Sequence, residues 1–187
     1  MIVTIHQPNF MPWYPFFQKI KEADVFCILT KCQFEKNNFQ NRFNMEGRWH
    51  TMSVKKGLTP IDTKHYINAQ KDWSKIKENL KSYRNILNEF DDCITDNLAL
   101  TNTNIIKRAC EMLGIKTKIV TDWDTDLTST ERLVDICATL GASEYLSGPS
   151  GKNYMDIDLF KSNGINVVFQ SPDTIIRKPL LQVLQNE

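Results

Sequence analysis

The first thirty residues alternate between apolar and amphipathic character, and this alternation constrains the fold more than any other feature of the chain. Residues 1–5 form a short apolar run rich in β-branched side chains, which predicts a buried strand. Pro15 begins a stretch in which Phe16 and Ile20 recur at helical spacing, and residues 25–29 form a second apolar run. Strand, helix and strand in this order predict a βαβ unit with two parallel strands.

The rest of the chain continues the alternation, so we predict an α/β fold with a mainly parallel sheet covered by helices and with a hairpin and helical insertion. Thr128 and Glu131 are spaced as a capping box at the start of one helix, and Gly114 and Gly141 stand where helices end. The further predicted elements are a hairpin over 42–54, a helix over 73–87, a helix ending at 113, a strand over 115–120, a helix over 128–140, a strand over 144–147, a helix over 154–162 and a strand over 165–169.

The chain has 187 residues, which fits one domain with a subsidiary lobe. We predict a single α/β domain over residues 1–170, with residues 32–90 as an insertion or flanking lobe. We expect residues 171–187 to be a divergent or truncated C-terminal tail.

Composition limits the partners and the location of the protein. The 23 Lys and Arg residues nearly balance the 22 Asp and Glu residues, and the net charge of +1 gives no overall field to attract nucleic acid. The five scattered cysteines lie mostly in apolar periodic segments, as reduced core thiols do. The sequence shows neither a secretion pattern nor an apolar run of about 18 residues, so we expect no membrane insertion and a cytoplasmic location.

Three polar side chains, His6, Gln7 and Asn9, follow the first predicted strand within four residues. The carboxyl ends of parallel strands are where open α/β sheets bind ligands, so this position suits contact between an imidazole or amide and a ligand. We expect an imidazole at this position to contact a phosphate or to serve as a general acid or base. The alternative is a hydrogen-bonded structural turn.

A segment rich in amides, aromatics and cations follows the second predicted strand. It holds Gln33, Lys36, Asn41 and Arg42 among three phenylalanines. This mixture suits a flat polar ligand such as a nucleotide or a sugar. A solvated loop anchored by the phenylalanines accounts for the same composition, and both interpretations remain open.

The glycine-rich stretch over residues 147–152 lies between a predicted strand and a predicted helix, where main-chain amides bind anions. A plain strand-to-helix turn explains the glycines equally well. The stretch does not fit the phosphate-loop pattern, because Leu146 and Asn153 stand where that pattern requires Gly and Ser or Thr. Cys27 and Cys32 have no second pair or nearby histidine, so we predict no metal site.

Several blocks of sequence are informative when they are taken together and in order. They are residues 5–10, 12–13, 16–17, 19–20, 23–26, 28–34, 39–42, 113–115, 130–137, 140–142 and 145–148 through Tyr154. Together these blocks resemble the WbqC-like protein family. After residue 170 the chain departs from the family pattern.

The resemblance implies a bacterial protein encoded among genes for O-antigen or other surface-glycan building blocks, in lipopolysaccharide-type synthesis. It implies a cytoplasmic transferase that attaches glycine or another small acyl group to an amino sugar. Forming an amide from a free carboxylate requires activation, so the cofactor would be ATP with Mg²⁺, or the donor would be preactivated. The alternative is a noncatalytic binding protein for a nucleotide or glycan precursor, because the sequence shows no nucleophile with an adjacent base.

We assign catalytic roles to His6 and Arg42. His6 and either Arg42 or Lys36 would stabilise phosphate charge, while Gln33 and Asn41 would orient the sugar. We expect His6 and Arg42 to lie on the rim of one crevice, with a nucleotide-linked amino sugar as the small-molecule substrate, and we leave open a homodimer. The predicted substrate-binding residues, most of them at positions that the resemblance marks, are Gln7, Asn9, Gln33, Lys36, Asn41, Thr130, Arg132, Ser147, Gly148 and Tyr154.

Overall fold

A computed structural model of the chain describes residues 1–186 and divides into two compact units. The first unit contains Met1–His6, Pro15–Leu29 and Ile115–Ile176. The second contains Gln7–Tyr14, Thr30–Gly114 and the segment that starts at Arg177. The predicted boundaries at residues 32, 90 and 170 stay predictions.

The described chain contains seven strands and seven α-helices. The strands are β1 (Ile2–His6), β2 (Val25–Ile28), β3 (Arg42–Met45), β4 (Arg48–Thr51), β5 (Lys118–Thr121), β6 (Glu144–Ser147) and β7 (Asn166–Phe169). The helices are α1 (Tyr14–Lys21), α2 (Ala69–Asn79), α3 (Arg84–Asn88), α4 (Leu98–Met112), α5 (Ser129–Thr139), α6 (Ile157–Ser162) and α7 (Leu180–Leu184). Short 3₁₀ helices cover Ile61–Thr63, Lys81–Tyr83, Asp91–Cys93 and Pro149–Asn153.

The first unit is built on a five-stranded sheet in the order β5-β2-β1-β6-β7, and every neighbouring pair is parallel. This confirms the predicted α/β class. The chain adds β2 and then β5 on one side of β1, and afterwards adds β6 and then β7 on the other side. The strand order therefore reverses between β1 and β6, which is the topological switch point of the sheet.

Helices cover both faces of this sheet. On one face, Val3 and Ile5 of β1 lie in a buried cluster with Val134 of α5 and Phe160 of α6. On the other face, Phe16 of α1 contacts Phe26 edge-on, with ring centroids 5.5 Å apart. Because successive strand residues point to opposite faces, Thr4 and His6 share the α1 face.

The second unit contains the predicted hairpin, in which β3 and β4 pair antiparallel. Its residues alternate between a buried and a more exposed face, with Phe43, Met45 and His50 buried. The predicted single helix over 73–87 is wrong: α2 ends at Asn79, Leu80 has φ −114° and ψ 51°, and α3 starts at Arg84. Apolar spacing does not reveal such a break, because the side chains on both sides of it stay buried.

Two helix ends in the first unit can be compared with the capping signals that the sequence predicted. Gly141 has a φ of 74°, as the predicted helix stop requires. The predicted capping box at Thr128 is wrong in its hydrogen bond: Thr128 stands at the N-cap of α5 in extended conformation, but its side chain accepts no hydrogen bond from the helix. Ser129, the first residue of α5, has a φ of 50°, which is outside the helical range that the residue after a capping side chain adopts.

Among the helices of residues 1–186, none has the length and apolar character that crossing a bilayer requires.

Candidate functional site

The carboxyl ends of β1 and β6 lie side by side at the switch point of the first unit. The β1–β6 register ends with Thr4 opposite Leu146. Continuing this register places Ile5 opposite Ser147 and His6 opposite Gly148. Open parallel sheets bind ligands in the crevice outside such strand ends. Two of the sequence-predicted site segments are therefore neighbours at the sheet edge, which we call the switch-point edge (residues 5–6 and 147–151).

His6 is half-buried on the α1 face of the switch-point edge. Its carbonyl accepts a 2.9 Å hydrogen bond from the amide of Leu29, which fixes the backbone at the strand end. Its ring meets the ring of Phe16 edge-on, with centroids 5.1 Å apart. The imidazole is therefore positioned by packing on an aromatic side chain, next to the strand end where a ligand would bind.

The Ser147 side chain points to the opposite face of the sheet and is packed beneath the turn that follows β6. Ser147 is 2% exposed, and its hydroxyl donates to the Gly148 carbonyl at 3.2 Å. A Cβ atom on Gly151 would stand 2.1 Å from the Ser147 Oγ, so the close approach requires glycine there.

Three further predicted residues lie in the loops and helices of the first unit. The Thr130 hydroxyl accepts a 3.1 Å hydrogen bond from the amide of Asp156, which ties the start of α5 to the N-cap of α6. Arg132 forms an ion pair with Asp122, whose side chain is 1% exposed. Tyr154 is 71% exposed. Sequence reasoning missed Asp122, although its place directly after β5 was a signal available in the sequence.

Four cysteine thiols are held in the neutral form. Burial, followed by the nearby Asp122 carboxylate, raises the pKa of Cys27 to about 12. Burial likewise raises the pKa of Cys93 to about 11 and the pKa values of Cys110 and Cys137 to about 12. A thiol with such a pKa is not a thiolate nucleophile at neutral pH.

In the second unit, buried side-chain amides hold irregular backbone together. The Gln40 amide nitrogen donates to the Gln7 side-chain oxygen at 2.6 Å, and the Glu35 amide donates to the Gln40 side-chain oxygen at 2.9 Å. Asn102 donates to the carbonyls of Pro8 and Gln40, both at 2.7 Å. We call Gln7, Gln40 and Asn102 the amide network.

Sequence reasoning missed both Gln40 and Asn102 as key residues. Both are 0% exposed. Asn102 also accepts a 3.2 Å hydrogen bond from the Tyr66 hydroxyl. An asparagine four residues after Leu98 and four before Ile106, on the apolar face of a helix, was the signal in the sequence.

Two other predicted residues of the second unit also bind main-chain carbonyls. The Asn41 amide donates to the Met52 carbonyl at 2.8 Å, and the Gln33 amide donates to the Thr59 carbonyl at 2.9 Å. Lys36 is exposed and Asn9 is half-buried.

Arg42 lies under an exposed aromatic pair that we call the hairpin platform (Phe39, Arg42 and Trp49). Phe39 and Trp49 are 50% and 49% exposed, with ring centroids 5.6 Å apart. The Arg42 guanidinium carbon is 4.3 Å from the Trp49 centroid, and the guanidinium donates to the Asn37 carbonyl. Exposed rings backed by a cation are suited to stacking on a flat ligand ring.

The predicted site residues thus fall into two groups. His6, Ser147 and Gly148 meet at the switch-point edge of the first unit, whereas Gln7, Asn41 and Arg42 belong to the second unit. The expectation that His6 and Arg42 share one crevice rim stays a prediction. Within residues 1–186, no group of three or more His, Cys, Asp or Glu side chains is arranged to hold a metal ion.

The chain was compared with protein-family models, with curated proteins and with solved structures. The model of a family described as "WbqC-like protein family" matches residues 7–178. A Mycobacterium tuberculosis (strain ATCC 25618 / H37Rv) protein, described as "Uncharacterized protein Rv1507c", is 29% identical over an alignment that covers 89% of this chain and 80% of that protein. A crystal structure of a Zn(II)-bound AdcAII variant from Streptococcus pneumoniae, 12% identical, aligns over 99% of this chain and 95% of its own. Its TM-score of 0.23 is too low to indicate a shared fold.

Proposed function

This chain belongs to the WbqC-like protein family, and we propose that it is a transferase of bacterial surface-glycan precursor synthesis. In this proposal it attaches glycine or another small acyl group to the amino group of a nucleotide-linked sugar in the cytoplasm. The observation that carries the proposal is the position of His6 and Gly148 at neighbouring strand ends where the strand order reverses. Phosphate-containing ligands bind at such an edge, and a nucleotide-linked sugar supplies that phosphate.

The chemistry requires an activated acyl group. Either the donor arrives activated, or its carboxylate is activated with ATP and Mg²⁺. The sugar amine attacks the acyl carbon, the new C–N bond forms, and the bond from that carbon to the donor's leaving group breaks. The nitrogen then gives up a proton, which the His6 imidazole accepts. Mg²⁺ is usually held by substrate phosphates with one or two carboxylates, so it needs no three-residue protein cage.

The protonation state of the cysteines favours direct transfer of the acyl group from the donor to the amine over transfer through a thioester on the protein. Cys27 and Cys137, the two thiols in the core of the first unit, have pKa values raised to about 12 by burial. A neutral buried thiol neither attacks an acyl donor nor leaves readily. The protein's contribution is therefore to orient donor and amine and to stabilise charge.

The second unit offers a separate surface for recognition of a flat ring. Phe39 and Trp49 expose about half of their surface each, and Arg42 lies against Trp49. We propose that this platform stacks on a sugar or base and that Arg42 contributes charge. The other predicted substrate contacts stay proposals: Gln7, Asn9, Gln33, Lys36, Asn41, Thr130, Arg132, Ser147 and Tyr154.

The test is mass spectrometry of a mixture of protein, glycine, ATP, Mg²⁺ and a uridine diphosphate sugar with a free amine. We expect an amide product from the wild type and from His65→Ala, in which an exposed histidine is removed as a matched control. His6→Ala should slow product formation by about 100-fold or more, since it lacks the proton acceptor. A His6→Ala rate equal to that of the wild type contradicts the role of His6.

A noncatalytic binding protein is the second candidate, and the neutral state of the four buried thiols favours it. It predicts that the nucleotide sugar raises the melting temperature while no acyl donor yields a product. An amide product from any acyl donor excludes it. A wild type that gives neither a melting shift nor a product contradicts both candidates.

A further inference from the structure

Lys19 of α1 is a buried cation without a counter-ion. Its residue surface is 4% exposed. Within residues 1–186 the ammonium group makes one hydrogen bond, to the Ile5 carbonyl at 3.3 Å, and forms no ion pair. An ammonium group has three donors, so two of them lack a partner. Buried charges are normally paired or coordinated, because an unpaired one costs several kcal/mol.

The position of the Ile5 carbonyl shows where this ammonium group lies. Carbonyls alternate in direction along a strand: the Met1 carbonyl accepts from Glu144 on the β6 side, and the His6 carbonyl accepts from Leu29 on the β2 side. The Ile5 carbonyl therefore faces β6. The paired register with β6 ends one residue earlier, at Thr4. Lys19 Nζ thus lies where β1 and β6 stop pairing, at the switch-point edge.

The protonation state is suited to an anion. Burial lowers the pKa of Lys19 from 10.5 to about 8, so the group is still mostly charged at neutral pH. The only protein partner of the ammonium group in the described chain is a neutral carbonyl. An arriving anion would supply the missing charge and raise the pKa again.

We propose that Lys19 Nζ binds a phosphate group of the ligand at the switch-point edge, the same strand end that carries His6. A lysine acts as a compact point charge and commonly binds phosphate in this way, and the strand reversal is where phosphates bind in open α/β sheets. The inference rests on the proposed function only in that the ligand carries a phosphate, and it requires no acyl transfer.

The test compares Lys19→Met with Lys21→Met by calorimetric titration. Both substitutions remove one charge from α1, but Lys21 is exposed and serves as the control. The probes are uridine diphosphate, pyrophosphate, inorganic phosphate and uridine, which lacks phosphate. We expect Lys19→Met to weaken uridine diphosphate binding by about 10-fold or more, Lys21→Met to leave it unchanged, and uridine to bind equally weakly to all three proteins.

The phosphate probes distinguish the sources of the anion. Binding of uridine diphosphate alone, lost in Lys19→Met, supports a nucleotide phosphate. Binding of pyrophosphate or inorganic phosphate, lost in the same variant, supports a free phosphate group. Equal affinity of the wild type and Lys19→Met for every phosphate probe, or no binding of any of them to the wild type, overturns the inference.

A measurement on the wild type covers the case in which Lys19→Met does not fold. Saturation with the tightest phosphate probe should raise the pKa of Lys19 from about 8 toward 10.5. NMR of ¹³C-labelled lysine measures this pKa. An unchanged pKa in the saturated protein overturns the inference. If the pKa rises and no amide product forms, the transferase proposal fails and the phosphate site stands. If amide product forms while the pKa of Lys19 is unchanged, the phosphate site fails and the transferase proposal stands.

Discussion

The two units are stabilised in different ways. In the first, main-chain hydrogen bonds between parallel strands set the geometry, and the candidate site lies where two of those strands end. In the second, side-chain amides such as Asn102 hold main-chain carbonyls that no strand partner satisfies. We therefore expect the sheet to tolerate changes in its polar side chains better than the second unit tolerates the loss of a buried amide.

The largest effect that tests this comparison is expected at Asn102. Asn102→Ala leaves the carbonyls of Pro8 and Gln40 and the hydroxyl of Tyr66 without their partner in a buried site. We expect a loss of about 3–4 kcal/mol in the free energy of unfolding, measured by urea denaturation. Asn104→Ala, two residues further on in α4, is the control and should cost less than about 1 kcal/mol. Equal losses of unfolding free energy in Asn102→Ala and Asn104→Ala would contradict a specific role of the amide network in stability.

Lys19 gives the next largest effect, through pH. The pKa in the folded protein, about 8, lies below the ordinary 10.5. The cost of burying the charge is therefore full below about pH 8, falls between pH 8 and 10.5, and is gone above 10.5. The stability of the wild type relative to Lys19→Met should rise by about 3 kcal/mol across this window. Urea unfolding at several pH values checks this, and a flat difference contradicts the unpaired buried charge.

Gly151 tests the turn at the switch-point edge. Gly151→Ala places a Cβ 2.1 Å from the Ser147 Oγ, so the packed turn must shift. We expect a loss of about 2 kcal/mol in thermal or urea unfolding. Gly148→Ala, in the same turn but with no atom within 4 Å of the added Cβ, should cost less than about 0.5 kcal/mol. If Gly151→Ala costs as little as Gly148→Ala, the turn is not closely packed around Gly151.

The smallest expected loss of stability concerns the N-caps of two helices in the first unit, α5 and α6. The Asp156 side chain accepts a hydrogen bond from Leu159 at the start of α6, whereas Thr128 makes no such bond at the start of α5. Asp156→Ala should cost about 1 kcal/mol and Thr128→Ala only a few tenths, measured by urea unfolding. A larger loss for Thr128→Ala would restore the capping box that the sequence predicted.

Regular elements were predictable from the sequence because periodicity is local. The runs over residues 1–5 and 25–29 predicted β1 and β2, and parallel pairing followed from the short crossover helix between them. The position of His6 at a strand end could be predicted for the same reason.

The remaining features depend on contacts between distant residues. Asn102 meets Pro8 across 94 positions, and no local pattern reveals such a partner. Lys19 reads as a polar helix residue, yet it stands three positions after Phe16 and shares its buried face. A charged residue at helical spacing from buried apolar residues was a signal in the sequence, and sequence reasoning missed it.

The measurement that tests the central claim most directly is backbone-amide NMR of the wild-type protein titrated with uridine diphosphate. The account predicts that the largest shift changes occur at the switch-point edge, at Ile5, His6 and Gly148 through Gly151, with Lys19 responding at its side chain. Shift changes confined to other parts of the chain, with these amides unmoved at saturation, would contradict it.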